Sequence, residues 1–291
     1  MGKFIQYSTK EAQYNGPFDS KVGWAAAGMG DLFVTDSGKL IAVDGGYLND
    51  GEGFVELLEK NANGKKPVVD LWIITHPHRD HYGAILTIAR DPALSSRIEV
   101  KKFMYWFPEE FRNGDGLTNV LAYGNKDMDE ISAVFGAECE RPYLDQKFRI
   151  DDMEFHFLFV PDDCSYLDVA TGHPNSNQVS LIFTVQGTNK KAMITGDAFE
   201  RGMYMALWRH YRTMKCDYLQ LPHHGFCDTG VLNFYEKVKA DVVFIPTSIA
   251  GYNCMHSDMY AGNPKRDANL WVEANAKVVY KAFEGTFEVE M

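Results

Sequence analysis

The chain has 291 residues, of which 45% are hydrophobic and 24% charged, ordinary globular values that exclude a disordered or fibrous chain. Its net charge of −11 works against a non-specific grip on phosphate backbones, which needs clustered Lys and Arg, so nucleic acid is not the favoured partner. No run approaches the roughly 20 apolar residues of a membrane span. The first eight residues lack the apolar core of a secretory signal. Cys139, Cys164, Cys216, Cys227 and Cys254 are odd in number and form no C-x-x-C. They fit reduced thiols, and hence a cytoplasmic location, better than a disulfide framework.

In chain order, short apolar runs predict strands at 32–35, 40–43, 68–75 and 99–107. Helical patterns fall between them at 53–61 and 81–90. A helix is expected at 127–135, then strands at 154–160, 180–185 and 192–195. In the last third, helices at 201–214, 230–238 and 268–274 alternate with strands at 218–221, 242–246, 277–280 and 285–289. Hairpin-connected strands followed by strand-helix alternation, twice over, suit an α/β fold of two mixed sheets packed face to face with helices outside. A doubly wound parallel sheet is disfavoured, because no G-x-G-x-x-G follows the first strand. Gly28-Met29-Gly30 alone reads as a turn. One domain over 1–291 is expected, with 107–135 as an inserted segment that would cover a site as a lid.

The most informative stretch is Thr75-His76-Pro77-His78-Arg79-Asp80-His81-Tyr82-Gly83. It lies between an apolar strand and an amphipathic helix. His76 and His78 are two apart, so in extended chain they point the same way. Asp80 and His81 fall at the helix start, where the dipole favours a carboxylate. Imidazole and carboxylate are the usual ligands of zinc and similar ions. Polar loop histidines are the bland reading, but four such residues within six positions favour a metal site. His156 sits in a strand pattern and His210 in a helical one, with no motif around either, so both default to structural roles.

His-x-His-x-Asp-His resembles the signature of the metallo-β-lactamase-fold hydrolases. Asp44 in Val43-Asp44-Gly45-Gly46 is similar to that family's early structural aspartate, and Asp197 in Thr195-Gly196-Asp197 to its metal-bridging aspartate. His223 in Leu221-Pro222-His223-His224-Gly225 is similar to its last metal histidine. The local wording resembles the ComEC-type branch of DNA-uptake proteins and related phosphoesterases. It includes Gly28-Met29-Gly30-Asp31, Asn177-Gln178-Val179-Ser180-Leu181, and His223-His224-Gly225. Phe226 follows where that branch usually has Ser.

The resemblance implies a four-layered αβ/βα sandwich carrying two divalent cations, zinc first, with manganese or iron as alternatives. His76 and His78 would hold the first metal, Asp80, His81 and His223 the second, and Asp197 would bridge. His173 is expected to complete the first site, with Asn177 as the alternative at this position, since Asn177 belongs to the branch's substrate-facing motif. Asp80 would also orient an attacking hydroxide. His224 would either contact a substrate oxygen or support His223. His256 is a candidate substrate contact.

Two cations roughly 3.5–4 Å apart can lower the pKa of a shared water to near neutral, so no Ser or Cys nucleophile is required. The first expectation is therefore hydrolysis of a phosphodiester or other phosphoester in a small molecule. The second is hydrolysis of a lactone, thioester or β-lactam, because fold does not fix chemistry. Iron-dependent reduction of oxygen or nitric oxide is disfavoured by His78, where such relatives usually carry Glu. A non-catalytic metal-binding module is disfavoured by the near-complete ligand set.

Overall fold

The computed structural model describes residues 1–17, 27–107, 124–161 and 176–291. Among them, fifteen strands form two sheets. The first sheet contains β1 (Lys3–Gln6), β2 (Gly30–Val34), β3 (Leu40–Asp44), β4 (Val68–Ile73), β5 (Glu99–Val100), β6 (Lys102–Met104), β7 (Glu138–Glu140) and β15 (Phe287–Glu290). Its order is β15-β1-β2-β3-β4-β6-β7, with β5 beside β4. The second contains β8 (Lys147–Ile150), β9 (Met153–Phe159), β10 (Ile182–Gln186), β11 (Lys191–Ile194), β12 (Tyr218–Gln220), β13 (Val242–Ile245) and β14 (Val278–Lys281), in the order β14-β13-β12-β11-β10-β9-β8. Both are mixed: β3-β4-β6 and β11-β12-β13-β14 run parallel, and the flanking hairpins are antiparallel.

Period-2 alternation explains how the sheets stack, because successive strand side chains point to opposite faces. On the first sheet, Phe33, Ile41, Val43, Leu71 and Ile73 face the second sheet and meet Phe155, Phe157, Phe183, Ile194 and Phe244 in one core. Their strand neighbours Leu32, Ala42 and Trp72 face the other way, into a core shared with helices α1 (Gly51–Asn61), α2 (Arg79–Arg90) and α4 (Gly124–Phe135). A short helix, α3 (Pro92–Ser95), follows α2. On the second sheet, Leu158, Ile182, Met193, Leu219 and Val243 face α5 (Glu200–His210), α6 (Leu232–Val238), α7 (Ile249–His256) and α8 (Pro264–Asn275). The result is the expected helix-sheet-sheet-helix stack.

Several elements differ from the sequence expectation. β1, β7, β8 and α3 were not predicted. α7 was not predicted either. Its sequence, Ile-Ala-Gly-Tyr-Asn-Cys-Met-His, has no amphipathic period, and its start is defined instead by Ser248, whose side chain accepts from Gly251 N–H. The helix expected to 214 ends at His210. The run 99–107 splits into two strands at Lys101. Of the segment read as an insertion over 107–135, residues 108–123 lie outside the described set. The remainder is α4, whose Met128 and Ile131 are fully buried in the outer core, so this half is a constituent of the helix layer. No helix among the described residues is long and apolar enough to cross a membrane.

Candidate metal centre

The sequence clusters converge at the carboxyl ends of parallel strands, where side chains leave the sheet together. Asp44 ends β3 in a left-handed conformation, φ 53°, and is fully buried. That turn aims its carboxylate at the loop after β4. Thr75 N–H and Oγ1–H donate to it at 2.8 and 2.7 Å, and His81 Nδ1 lies 2.7 Å away. Trp72 Nε1–H donates to its carbonyl at 2.7 Å. Asp44 thus orients His81 so that Nε2 faces inward, the usual arrangement behind a ligating imidazole. His78 is the extended residue just before α2, which places Asp80 and His81 in the first helical turn. Gly28 packs under this turn: a Cβ there would meet the Asp80 carbonyl oxygen at 2.9 Å, and Met29 N–H donates to that same oxygen at 2.9 Å. Gly28-Met29-Gly30 is therefore neither a phosphate loop nor a simple turn, but the backing of Asp80.

On the other sheet, Gln220 accepts from the N–H groups of Thr195 and Gly196 at 2.8 and 2.9 Å, which holds the turn after β11 and presents Asp197. After β12 the chain takes three successive left-handed residues, His223 (φ 47°), His224 (φ 55°) and Gly225 (φ 77°). Such strain on non-glycine residues persists where surrounding structure enforces it, commonly at functional sites. It sends the two imidazoles in different directions.

Two groups able to hold a metal result: Asp80, His81, Asp197 and His224, and His76, His78 and Asp197. Asp197 belongs to both. Its Oδ1 lies 3.2 Å from His81 Nε2 and 3.6 Å from His224 Nε2, while its Oδ2 lies 3.6 Å from His76 Nε2. His224 Nε2 is also 3.3 Å from Asp80 Oδ2. Ligands about 2.0–2.1 Å from a tetrahedral ion stand about 3.3 Å from one another, so these separations match the edges of a coordination shell.

The structure departs from expectation at the tandem histidines. His223 was expected with Asp80 and His81, but His224 stands there. Its Nδ1 faces the Pro246 carbonyl at 2.7 Å, leaving Nε2 for the cluster. His223 turns to the other side, with Nδ1 at 2.8 Å from Asp228 and Nε2 at 3.2 Å from the Asn177 amide and 3.7 Å from Asp197 Oδ2. Asn177 therefore lies beside His223 at the first cluster, and Ser176 beside His78. His173 lies outside the described residues. His256 is not brought to either cluster. It is half-exposed at the end of α7, stacked on Tyr252, with Nε2 2.9 Å from Glu273, so it joins α7 to α8. Asp228 and Ser176 were missed by sequence reasoning. Asp228 had a weak signal, five residues after His223; Ser176 had none, because its partner is 98 residues away.

The electrostatics fit a cation. Burial, then the adjacent His81, holds the His76 ring well below the usual imidazole range, and burial brings His78 down to about 4. Both are neutral at pH 7 and offer lone pairs. Burial opposes charge on His81 too, but Asp197, Asp44 and Asp80 outweigh it and hold that ring well above its usual value. His223 is pushed up to about 8, Asp228 and Asp197 outweighing burial. Asp80 and Asp197 are held low because the surrounding imidazoles overcome their burial. The buried carboxylates thus demand positive charge, which protons on His81 supply and which a metal replaces when it binds. His81 Nε2, His224 Nε2 and both Asp197 oxygens are buried with no hydrogen-bond partner. An unsatisfied buried polar atom costs roughly 1–3 kcal/mol, and a cation shared by all of them would relieve it.

The phenyl rings of Phe199 and Phe226 flank His223 at 5.3 and 5.2 Å between ring centres, giving the site an apolar wall. Cys227 is buried and its thiol is pushed up by burial to about 11. It belongs to neither metal group.

The family model of the metallo-beta-lactamase superfamily matches residues 32–225, which contain both clusters. No curated protein sequence matches the chain. Among solved structures, it is similar to Zn(2+)-bound PqqB from Methylobacterium extorquens, at 10% identity and a TM-score of 0.59, with 100% of each chain covered. It is similar to Tm1679, a metal-dependent hydrolase of the beta-lactamase superfamily, at 14% identity and a TM-score of 0.57, with 99% of each chain covered. It is also similar to the metallo-beta-lactamase fold protein YhfI from Bacillus subtilis, at 12% identity and a TM-score of 0.55, covering 99% of this chain and 100% of that one. At such identities the likeness is one of fold. The family match spans two thirds of the chain and includes the His-x-His-x-Asp-His segment, Asp197 and both tandem histidines; the chain belongs to the metallo-beta-lactamase superfamily.

Proposed function

We propose that the chain is a binuclear metal-dependent hydrolase that cleaves a phosphodiester or related phosphoester in a small molecule. The observation that carries the proposal is the Asp197 carboxylate, with one oxygen toward His81 and His224 and the other toward His76. Two divalent ions bound there, zinc being the first candidate, would supply Lewis acidity and lower the pKa of a shared water. The remaining work falls to the chain's own groups. Asp197 and Asp80 bring negative charge that keeps the cations in place, and Asp80, ionised and beside His224, can accept a proton from the attacking water. Asn177 and His223 stand together at the first cluster, within 3.2 Å of each other, and would line the side of the site on which substrate binds. Phe199 and Phe226 exclude water from that side. The phosphoester class is supported by the ComEC-like wording around Asn177, and by the fact that a two-cation site can stabilise both the attacking and the leaving oxygens of an in-line displacement. A small substrate suits the net charge of −11. A reducing, cytoplasmic setting is part of the proposal, and the described cysteines are free thiols.

The test is turnover of bis(p-nitrophenyl) phosphate by protein loaded with Zn²⁺ or Mn²⁺, with chelator and Asp80→Ala as controls. Metal-dependent turnover lost in the variant supports phosphodiester cleavage. No turnover by protein carrying two bound metals overturns it in favour of a lactone, thioester or β-lactam, which the same protein would be assayed on next.

A further inference from the structure

We propose that Asp145, His156 and His210 form an additional site for a zinc-class divalent cation, separate from the Asp197 centre, which ties helix α5 to the β8–β9 hairpin. These residues are 65 positions apart in the chain, and the fold brings one potential ligand atom from each into a common group. His156 Nε2 and His210 Nε2 both lie 3.3 Å from Asp145 Oδ1. That is the ligand-to-ligand spacing of a tetrahedral zinc shell, about 3.3 Å. The rings stand nearly perpendicular, at 88°, with centres 5.2 Å apart.

Each ligand is held by its own element. Along β9, Phe155 and Phe157 enter the core between the sheets, so His156 points to the helix side. His210 follows Met203 and Ala206 on the buried face of α5, at a position where the helical period calls for an apolar side chain. The left-handed Asp145 (φ 62°) donates its N–H to the Phe157 carbonyl at 3.0 Å, which fixes its carboxylate beside His156.

The decisive atom is His210 Nε2. The side chain is only 9% exposed, and this nitrogen is buried with no hydrogen-bond partner although it faces Asp145. Both rings are shifted toward the neutral form by burial, so they offer lone pairs. Two imidazoles and one carboxylate suit zinc or a similar ion rather than calcium or magnesium, which take oxygen ligands. Asp145 is 57% exposed, so water can complete the shell. α5 is 11 residues long, which at about 1.5 Å per residue sets His210 roughly 16 Å along the helix from the Asp197 end. The site therefore stands apart from the catalytic centre and does not depend on what that centre cleaves.

The experiment is equilibrium dialysis of the full chain against Zn²⁺, with bound metal measured by mass spectrometry and hydrolysis read in parallel. The wild type is compared with Asp145→Asn and with the double variant His156→Gln/His210→Gln. The expected result is one zinc equivalent fewer per chain in the double variant, at least tenfold weaker binding of that equivalent in Asp145→Asn, and unchanged hydrolysis in both. Asp145→Asn is exposed, and Asn tolerates the left-handed conformation, so it carries the test if the double variant does not fold. Equal zinc stoichiometry and affinity in the wild type and Asp145→Asn overturns the proposal and leaves the three residues as a packing contact.

Discussion

The adjacent rings of His223 and His224 have centres 6.0 Å apart, yet they serve opposite sides of Asp197. Backbone conformation separates them: each lies in the left-handed region, where a side chain projects very differently than in extended chain. His224→Ala is therefore expected to remove one metal from the group with Asp80 and His81 while the His76 and His78 group keeps its own. His223→Ala is expected to leave the Asp80 group loaded and to weaken the other. Metal stoichiometry by mass spectrometry on the two purified variants separates these outcomes; the reverse pattern would restore the sequence-based assignment of His223 to the second metal. Three of the residues involved, His76, His81 and Asp197, were recognisable from motif alone. The partners of His78, His223 and His224 were not, because Ser176, Asp228 and Pro246 reach these histidines through folding rather than through a spacing.

At the scale of an element, the turn after β11 governs the centre. Gly196 has φ 52°, and a Cβ added there would lie 2.8 Å from Thr75 Cβ and Oγ1. Thr75 is the residue that binds Asp44. A left-handed non-glycine residue costs roughly 1–2 kcal/mol, and the contact adds to it because Thr75 is hydrogen-bonded and cannot retreat. Gly196→Ala is expected to destabilise the fold by about 2 kcal/mol or more and also to weaken metal binding, since Asp197 is the next residue. Urea unfolding with and without zinc tests both parts. Near-wild-type stability with both metals retained would show that the turn accommodates a side chain.

For the whole molecule, the core between the sheets carries the aromatic mass: Phe4 stacks on Phe33 with centres 4.7 Å apart, and Phe157 meets Phe183 at 5.2 Å. One bridge joins the sheets beside the centre, where Leu181 N–H donates to the Thr75 carbonyl at 3.0 Å. The two halves of the metal centre therefore keep their spacing only if the sheets stay packed. Phe183→Ala, at a fully buried position, is expected to cost about 3–5 kcal/mol. It should lower the urea midpoint while the folded fraction still binds the same number of metals, because Phe183 touches none of the ligands. Loss of metal at denaturant concentrations where the variant is still folded would show that sheet packing and site geometry are more tightly coupled than this.

Hydrophobic period and motif spacing were enough to determine the layered α/β architecture and the strand-to-helix junction bearing His76, His78, Asp80 and His81, while the shared role of Asp197 came from the family resemblance. These are local properties: a period of two or of 3.6 is written over a few residues, and a ligand set within six positions needs no distant partner. Only the tertiary structure decided which tandem histidine joins Asp80, that His256 braces Glu273, and that His156 and His210 share Asp145. It also decided that β1 fills a place between β2 and β15, strands from opposite ends of the chain. Each of these depends on contacts between residues far apart in sequence, or on a left-handed backbone turn that reverses a side chain's direction, and neither leaves a periodic trace.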